Sequence, residues 1–197
     1  MVGGVVVAGP QGPERKKYDN QVGQTAVTNG TPYIASLTSA IAEGSAANQR
    51  IGGRAHLKSI DVELNWTGNV AGATLTLAYL PAYMDVMLVW DKQPDGAVPS
   101  VGTIFTASNT NLVFGLLTNI ERFQVLKRER LNMDVAGGYS GIIHWHQQLD
   151  CATRFADVTG SPATNDFYIV AVTGSPGTGV NFTPAIGYIA RVTFTDE

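Results

Sequence analysis

Val86-Met87-Leu88-Val89-Trp90 runs without a polar residue into Asp91-Lys92-Gln93-Pro94-Asp95-Gly96, with Pro99 soon after. A polar connection containing Thr103-Ile104-Phe105 follows. The chain then resumes at Asn119-Ile120-Glu121-Arg122-Phe123-Gln124-Val125-Leu126-Lys127. A short, continuously apolar run bounded by turn residues predicts a strand covered on both faces. Pro, Asp and Gly in close succession predict a tight turn. Buried strand, turn, bridging loop and second strand together write one edge of an antiparallel, two-layered β fold.

Strand signals of the same kind recur on both sides of this stretch. Tyr18 to Thr28 and Pro32 to Thr38 read as a first strand, interrupted at Asn29-Gly30. His56 to Trp66 alternates, with Ile60, Val62, Leu64 and Trp66 on one face and Ser59, Asp61, Glu63 and Asn65 on the other. Gly68 to Tyr83 is either a short extra hairpin or part of a long connection. Glu121 to Met133 is one strand, or two with a bend near Arg130. Gly141 to Cys151, Asp166 to Thr173 and Gly187 to Thr195 complete about eight strands, a common number for a jelly roll. Ala40 to Gln49 and Ser108 to Thr118 have room for short turns of helix, but neither carries a sustained 3.6-residue stripe. The predicted fold is all-β: a single eight-stranded antiparallel jelly roll, a β-sandwich with long connecting loops.

Composition agrees. The 197 residues suit one domain, and they are 44% hydrophobic but only 15% charged. A surface poor in charge favours extensive protein–protein contact, because interface cores are depleted in Lys, Glu and Asp. The net charge of −3 makes the chain as a whole a poor polyanion binder. One cysteine, Cys151, excludes an internal disulfide framework. Met1 to Gly9 is apolar but lacks a charged leader region and is too short to span a membrane, so no membrane insertion is expected. The reading divides the chain into a flexible arm at 1–17, facing inward, and a jelly-roll domain at 18–197.

Several short motifs, in one order, point to a family. Gln49-Arg50-Ile51-Gly52 with Lys58-Ser59-Ile60, Trp90 to Gly96 with Pro99, and Arg122-Phe123 with Val125-Leu126 are three of them. Asp166-Phe167-Tyr168-Ile169-Val170 and Arg191-Val192-Thr193-Phe194 are the others. Collinear over most of the chain, they resemble the single-jelly-roll coat proteins of small circular Rep-encoding single-stranded DNA viruses, the circovirus-like capsid proteins. More loosely they are similar to satellite plant virus coats. The resemblance implies a virion structural protein, not an enzyme, that binds copies of itself in a T=1 icosahedral shell of about 60 subunits. It also implies a nucleic-acid genome as partner, single-stranded DNA by the family's habit, and a host receptor of unknown kind.

One departure matters. The family begins with a long Arg/Lys-rich arm, whereas this chain offers only Arg15-Lys16-Lys17. About 60 copies would bring on the order of 180 such charges against roughly a thousand or more phosphates, so genome binding is expected to be weak. Arg54 and Lys58, and Arg128 and Arg130, are the other candidates to face nucleic acid; the competing reading pairs them with carboxylates such as Asp61, Glu63, Glu121 and Glu129. Leu80 and Tyr83 are candidate subunit contacts within the loops Gly44 to Gly53, Gly68 to Tyr83, Gln93 to Thr118, Gly137 to Gly141 and Gly174 to Pro184.

Two other functions fit a jelly roll. His144 and His146 share a strand face and Asp150 follows, a spacing similar to the first metal motif of the cupins. Cupins also need a third histidine on a later strand, and none follows His146. His144, His146 and Asp150 are therefore weak metal candidates, and the expectation is no metal and no cofactor, a structural divalent cation between subunits aside. No G-x-S-x-G elbow or Walker pattern occurs, and Cys151 reads as a small buried thiol, so no catalytic residue is assigned. A lectin-like or receptor-binding jelly roll is the other alternative.

Overall fold

The computed structural model describes residues 14–27, 32–68, 82–105, 117, 119–133, 140–174 and 184–196. Among the described residues there are eight strands: β1 (Arg15–Ala26), β2 (Tyr33–Ser36), β3 (Arg54–Thr67), β4 (Ala82–Asp91), β5 (Phe123–Met133), β6 (Ser140–Arg154), β7 (Asp166–Gly174) and β8 (Ala185–Asp196). They form two four-stranded antiparallel sheets, in the orders β1-β8-β3-β6 and β2-β7-β4-β5. The chain changes sheet at every connection except β4 to β5. That is the winding of an eight-stranded jelly roll.

The opening stretch folds as its sequence predicts. Met84, Val86 and Leu88 of β4 enter the core between the sheets with Phe167, Ile169, Leu64 and Val192. Met87 and Val89, on the opposite face of β4, pack in a second cluster with Phe123, Tyr168 and Val170. A four-residue helix, α1 (Val101–Ile104), lies over that cluster and buries Ile104 and Phe105 in it. Ser100 caps α1 by accepting the Thr103 amide hydrogen at 3.2 Å. Both faces of β4 are thus dry, which explains its unbroken apolar run.

Three expectations shift. The stretch from Tyr18 to Thr38 is two strands lying in different sheets, joined through 28–31. The first strand begins at Arg15, so Arg15, Lys16 and Lys17 belong to the sheet and not to an arm before it. The region 40–49 forms turns and bends, and among the described residues a short helix sits at 101–104. Glu121 to Met133 contributes one strand, β5, with a register shift opposite Leu88 and Val89. Leu80 lies outside the described residues, as do nearly all of Gly68 to Tyr83 and of Ser108 to Thr118.

Strand β3 carries a bulge that alternation alone conceals. Its register against β8 and β6 shifts between Leu57 and Ser59. Beyond it Ile60, Val62 and Leu64 point inward; before it Ala55 and Leu57 do. One inserted residue switches which parity faces the core. Arg54, His56 and Lys58 consequently project from the same outer face as Asp61 and Glu63.

Candidate functional surface

The loops β2–β3, β4–β5 and β6–β7 meet at one end of the sandwich, and the motif residues tie them together. Asp91 ends β4 fully buried. Arg122 grips it with two hydrogen bonds, Nε to Oδ1 at 2.9 Å and Nη2 to Oδ2 at 2.8 Å, and reaches Asp95 at 3.5 Å. Two parallel N–H bonds to one carboxylate form the strongest geometry an ion pair offers. They join the two halves of the opening stretch across its loop. Gly96 completes the turn at φ +85, a conformation that favours glycine. Trp90 stacks on Phe167 with ring centroids 5.8 Å apart and donates Nε1–H to Asn165 Oδ1 at 3.0 Å.

Arg50 is the largest fully buried side chain among the described residues. It donates to the carbonyl oxygens of Ile41, Gly52 and Asp157, pairs with Glu43 at 3.3 Å, and lies 4.3 Å over the Phe155 ring. One guanidinium thereby satisfies carbonyls of two loops that would otherwise be buried without donors. Asp166 is buried close by and accepts hydrogen bonds from Ser36, Thr38 and the Phe167 amide. Burial pushes its carboxyl above the ordinary range, against those hydrogen bonds. Asp157 is held down to about 2, first by the Thr159 hydroxyl and then by the amides of Ser161, Gly160 and Thr159.

The outer face of the β1-β8-β3-β6 sheet is different in kind. It bears an open groove of about 600 Å³ lined by Lys17, Asp61, Glu63, His144, His146 and Arg191. Cross-strand register sets the pairs: Asp19 opposite Arg191, Arg191 opposite Asp61, Asp61 opposite His146, Glu63 opposite His144. Arg191 holds Asp19 through two bonds of 2.6 and 2.7 Å, and this lowers the Asp19 carboxyl below its usual range. His146 Nδ1 meets Asp61 at 2.6 Å, and His144 Nδ1 lies 3.7 Å from Glu63.

The candidates named from sequence scatter over these places. His144 and His146 do share a face, but Asp150 does not join them. It meets His56 Nε2 at 2.6 Å and Lys58 at 3.7 Å. Among the described residues no three His, Cys, Asp or Glu side chains converge closely enough to hold a metal ion. Lys16 is buried against Asp196 at 2.6 Å and the Gln49 carbonyl at 2.9 Å, and so is not presented to a ligand. Arg15, Lys17 and Arg54 are exposed on the outer face.

Arg128 and Arg130 belong to the other sheet, where both clamp the buried Asp85: Arg128 at 2.9 Å, Arg130 through bonds of 3.0 and 2.8 Å. The carboxylates that claim these arginines are not the ones sequence reasoning paired with them. Tyr83 is half-buried with the Arg130 guanidinium 4.4 Å over its ring. Burial and the neighbouring Asp150 push the Cys151 thiol up to about 11, which makes it a poor nucleophile at neutral pH.

Sequence reasoning did not single out the exposed aliphatic residues of the looped end. Ile51 is 61% and Val158 65% exposed, on the two loops that Arg50 joins, and Val98 and Ile120 are exposed on the β4–β5 connection. Isolated aliphatic residues in loops give no periodic signal, so only coordinates reveal them.

No protein-family profile matches the chain, and no curated protein does. Among solved structures it is similar to one from Desmodium yellow mottle tymovirus. That match has a TM-score of 0.30 and 9% identity, covering 98% of this chain and 89% of that one.

Proposed function

We propose that this chain is the coat protein of a small virus, assembling with copies of itself into a closed icosahedral shell around a nucleic-acid genome. The observation that carries the reading is the double-wound sandwich with its motif residues in place. Arg50, Asp91, Arg122 and Asp166 lie at one end of it, where they brace three loops and leave aliphatic side chains outside. A braced loop end with exposed Ile51 and Val158 suits repeated contact between identical subunits, since weak contacts close into a stable shell when each copy engages several others. By resemblance the shell is T=1, on the order of 60 copies, and the genome single-stranded DNA. The virion is then where the protein resides.

The test places charge on the proposed contact. Ile51→Asp with Val158→Asp is expected to abolish particles in size-exclusion chromatography with light scattering. Because both side chains are solvent-exposed in the subunit, the unfolding free energy of the dissociated chain should stay within about 0.5 kcal/mol of the parent's. Particle yield equal to the parent's removes these loops from the assembly contact.

A further inference from the structure

The groove face collects the chain's basic and titratable groups. Six of the 13 Lys and Arg project from it (Arg15, Lys17, Arg54, Lys58, Arg154, Arg191) but only four of the 16 Asp and Glu (Asp19, Asp61, Glu63, Asp150). With neutral histidines the face carries +2 on a chain of net −3, so the rest of the chain carries −5. All three histidines also lie here, His56 on β3 and His144 and His146 on β6, each beside a carboxylate. Imidazole is the side chain whose charge ordinarily changes between about pH 5 and 8. Protonation of all three takes this one face to +5 and leaves the remainder of the chain unchanged.

Within the groove the change is sharper. Lys17 and Arg191 face Asp19, Asp61 and Glu63, a balance of −1 that becomes +1 when His144 and His146 gain protons. Asp61 and Glu63 repel an anion while the imidazoles are neutral. Imidazolium at 2.6 Å from Asp61 and 3.7 Å from Glu63 offsets that repulsion.

We propose that the outer face of the β1-β8-β3-β6 sheet binds the phosphodiester backbone of a nucleic acid, and that protonation of His56, His144 and His146 tightens the contact. The polyanion is taken from the coat-protein reading, on which this inference rests; the face and its proton dependence follow from charge placement. Contacts of this sort hold the backbone without reading sequence. They also supply a basic surface within the folded domain, where the short Arg15-Lys16-Lys17 segment loses Lys16 to Asp196.

The experiment measures binding of a fluorescent single-stranded oligothymidylate to the full chain by anisotropy, at constant ionic strength, between about pH 7.5 and 5.5. The parent is expected to bind about tenfold tighter at the acid end. Its salt slope should steepen there by about 0.7 for each added phosphate contact. His144→Gln with His146→Gln should flatten the pH dependence, and Asp61→Asn with Glu63→Gln should raise affinity at neutral pH. Lys127→Ala, on β5 of the other sheet, should change neither.

Long-chain polyphosphate should displace the oligonucleotide, and inorganic phosphate at equal phosphorus should not. An unchanged pH dependence in the histidine variant, or displacement by inorganic phosphate alone, overturns the proposal. Particle formation is scored in the same samples. Particles with pH-independent binding defeat the inference and leave the coat reading standing; proton-tightened binding without particles does the reverse.

Discussion

Arg122 and Asp91 show how much one ion pair can hold. Asp91 is buried, and apart from Arg122 the contact to its carboxylate is the Gln93 amide at 3.0 Å. Removing the guanidinium leaves a charge in a dry site, so Arg122→Ala is expected to cost about 3–5 kcal/mol in chemical denaturation. A loss below about 1 kcal/mol would mean that water reaches Asp91 and that the loop is not braced by this pair. Asp157 gives a pH signature instead. Its folded-state pKa, about 2, lies below the ordinary carboxylate value of 3.8, so its stabilisation is present above that value and lost as pH falls toward 2. The parent should therefore lose more thermal stability between about pH 4 and 2 than Asp157→Ala does, and parallel melting curves for the two would remove this role.

At the scale of elements, the bulge in β3 decides which side chains reach the outer face. Deleting Lys58 would remove the extra residue and restore simple alternation, with Ala55, Leu57, Ile60 and Val62 all still facing inward. The expected outcome is a retained cooperative transition, because no core side chain is turned outward; loss of cooperative melting would mean that the bulge itself is required. Lys58→Ala keeps the extra residue and should melt within about 1 kcal/mol of the parent, measured by circular dichroism.

This is also where sequence reading reaches its limit. Periodicity exposed β4 because its run 86–90 is covered on both sides, and it exposed β3 beyond Ser59 because one face is wet. It could not expose the bulge, since Arg54, His56 and Lys58 show a regular alternation of their own. Which face they take follows from a register shift with no local sequence mark. In the same way His144 and His146 were legible as neighbours, but their partners Glu63 and Asp61 come from a strand about eighty residues away.

For the whole molecule, the described loop end and the two outer sheet faces differ in kind. The looped end is braced by Arg50, Arg122 and Asp166 and carries Ile51 and Val158 on the outside. The outer face of one sheet is partly covered by α1 and carries the Asp85–Arg128–Arg130 cluster, whereas the other bears the open charged groove. On the proposed reading, the braced loop end meets copies of the chain and the charged sheet face meets a polyanion. The most direct test is the mass and shape of the purified full-length chain, by analytical ultracentrifugation with electron microscopy across pH and salt. Uniform closed particles tens of nanometres across are predicted. A chain that stays monomeric under every condition contradicts the account.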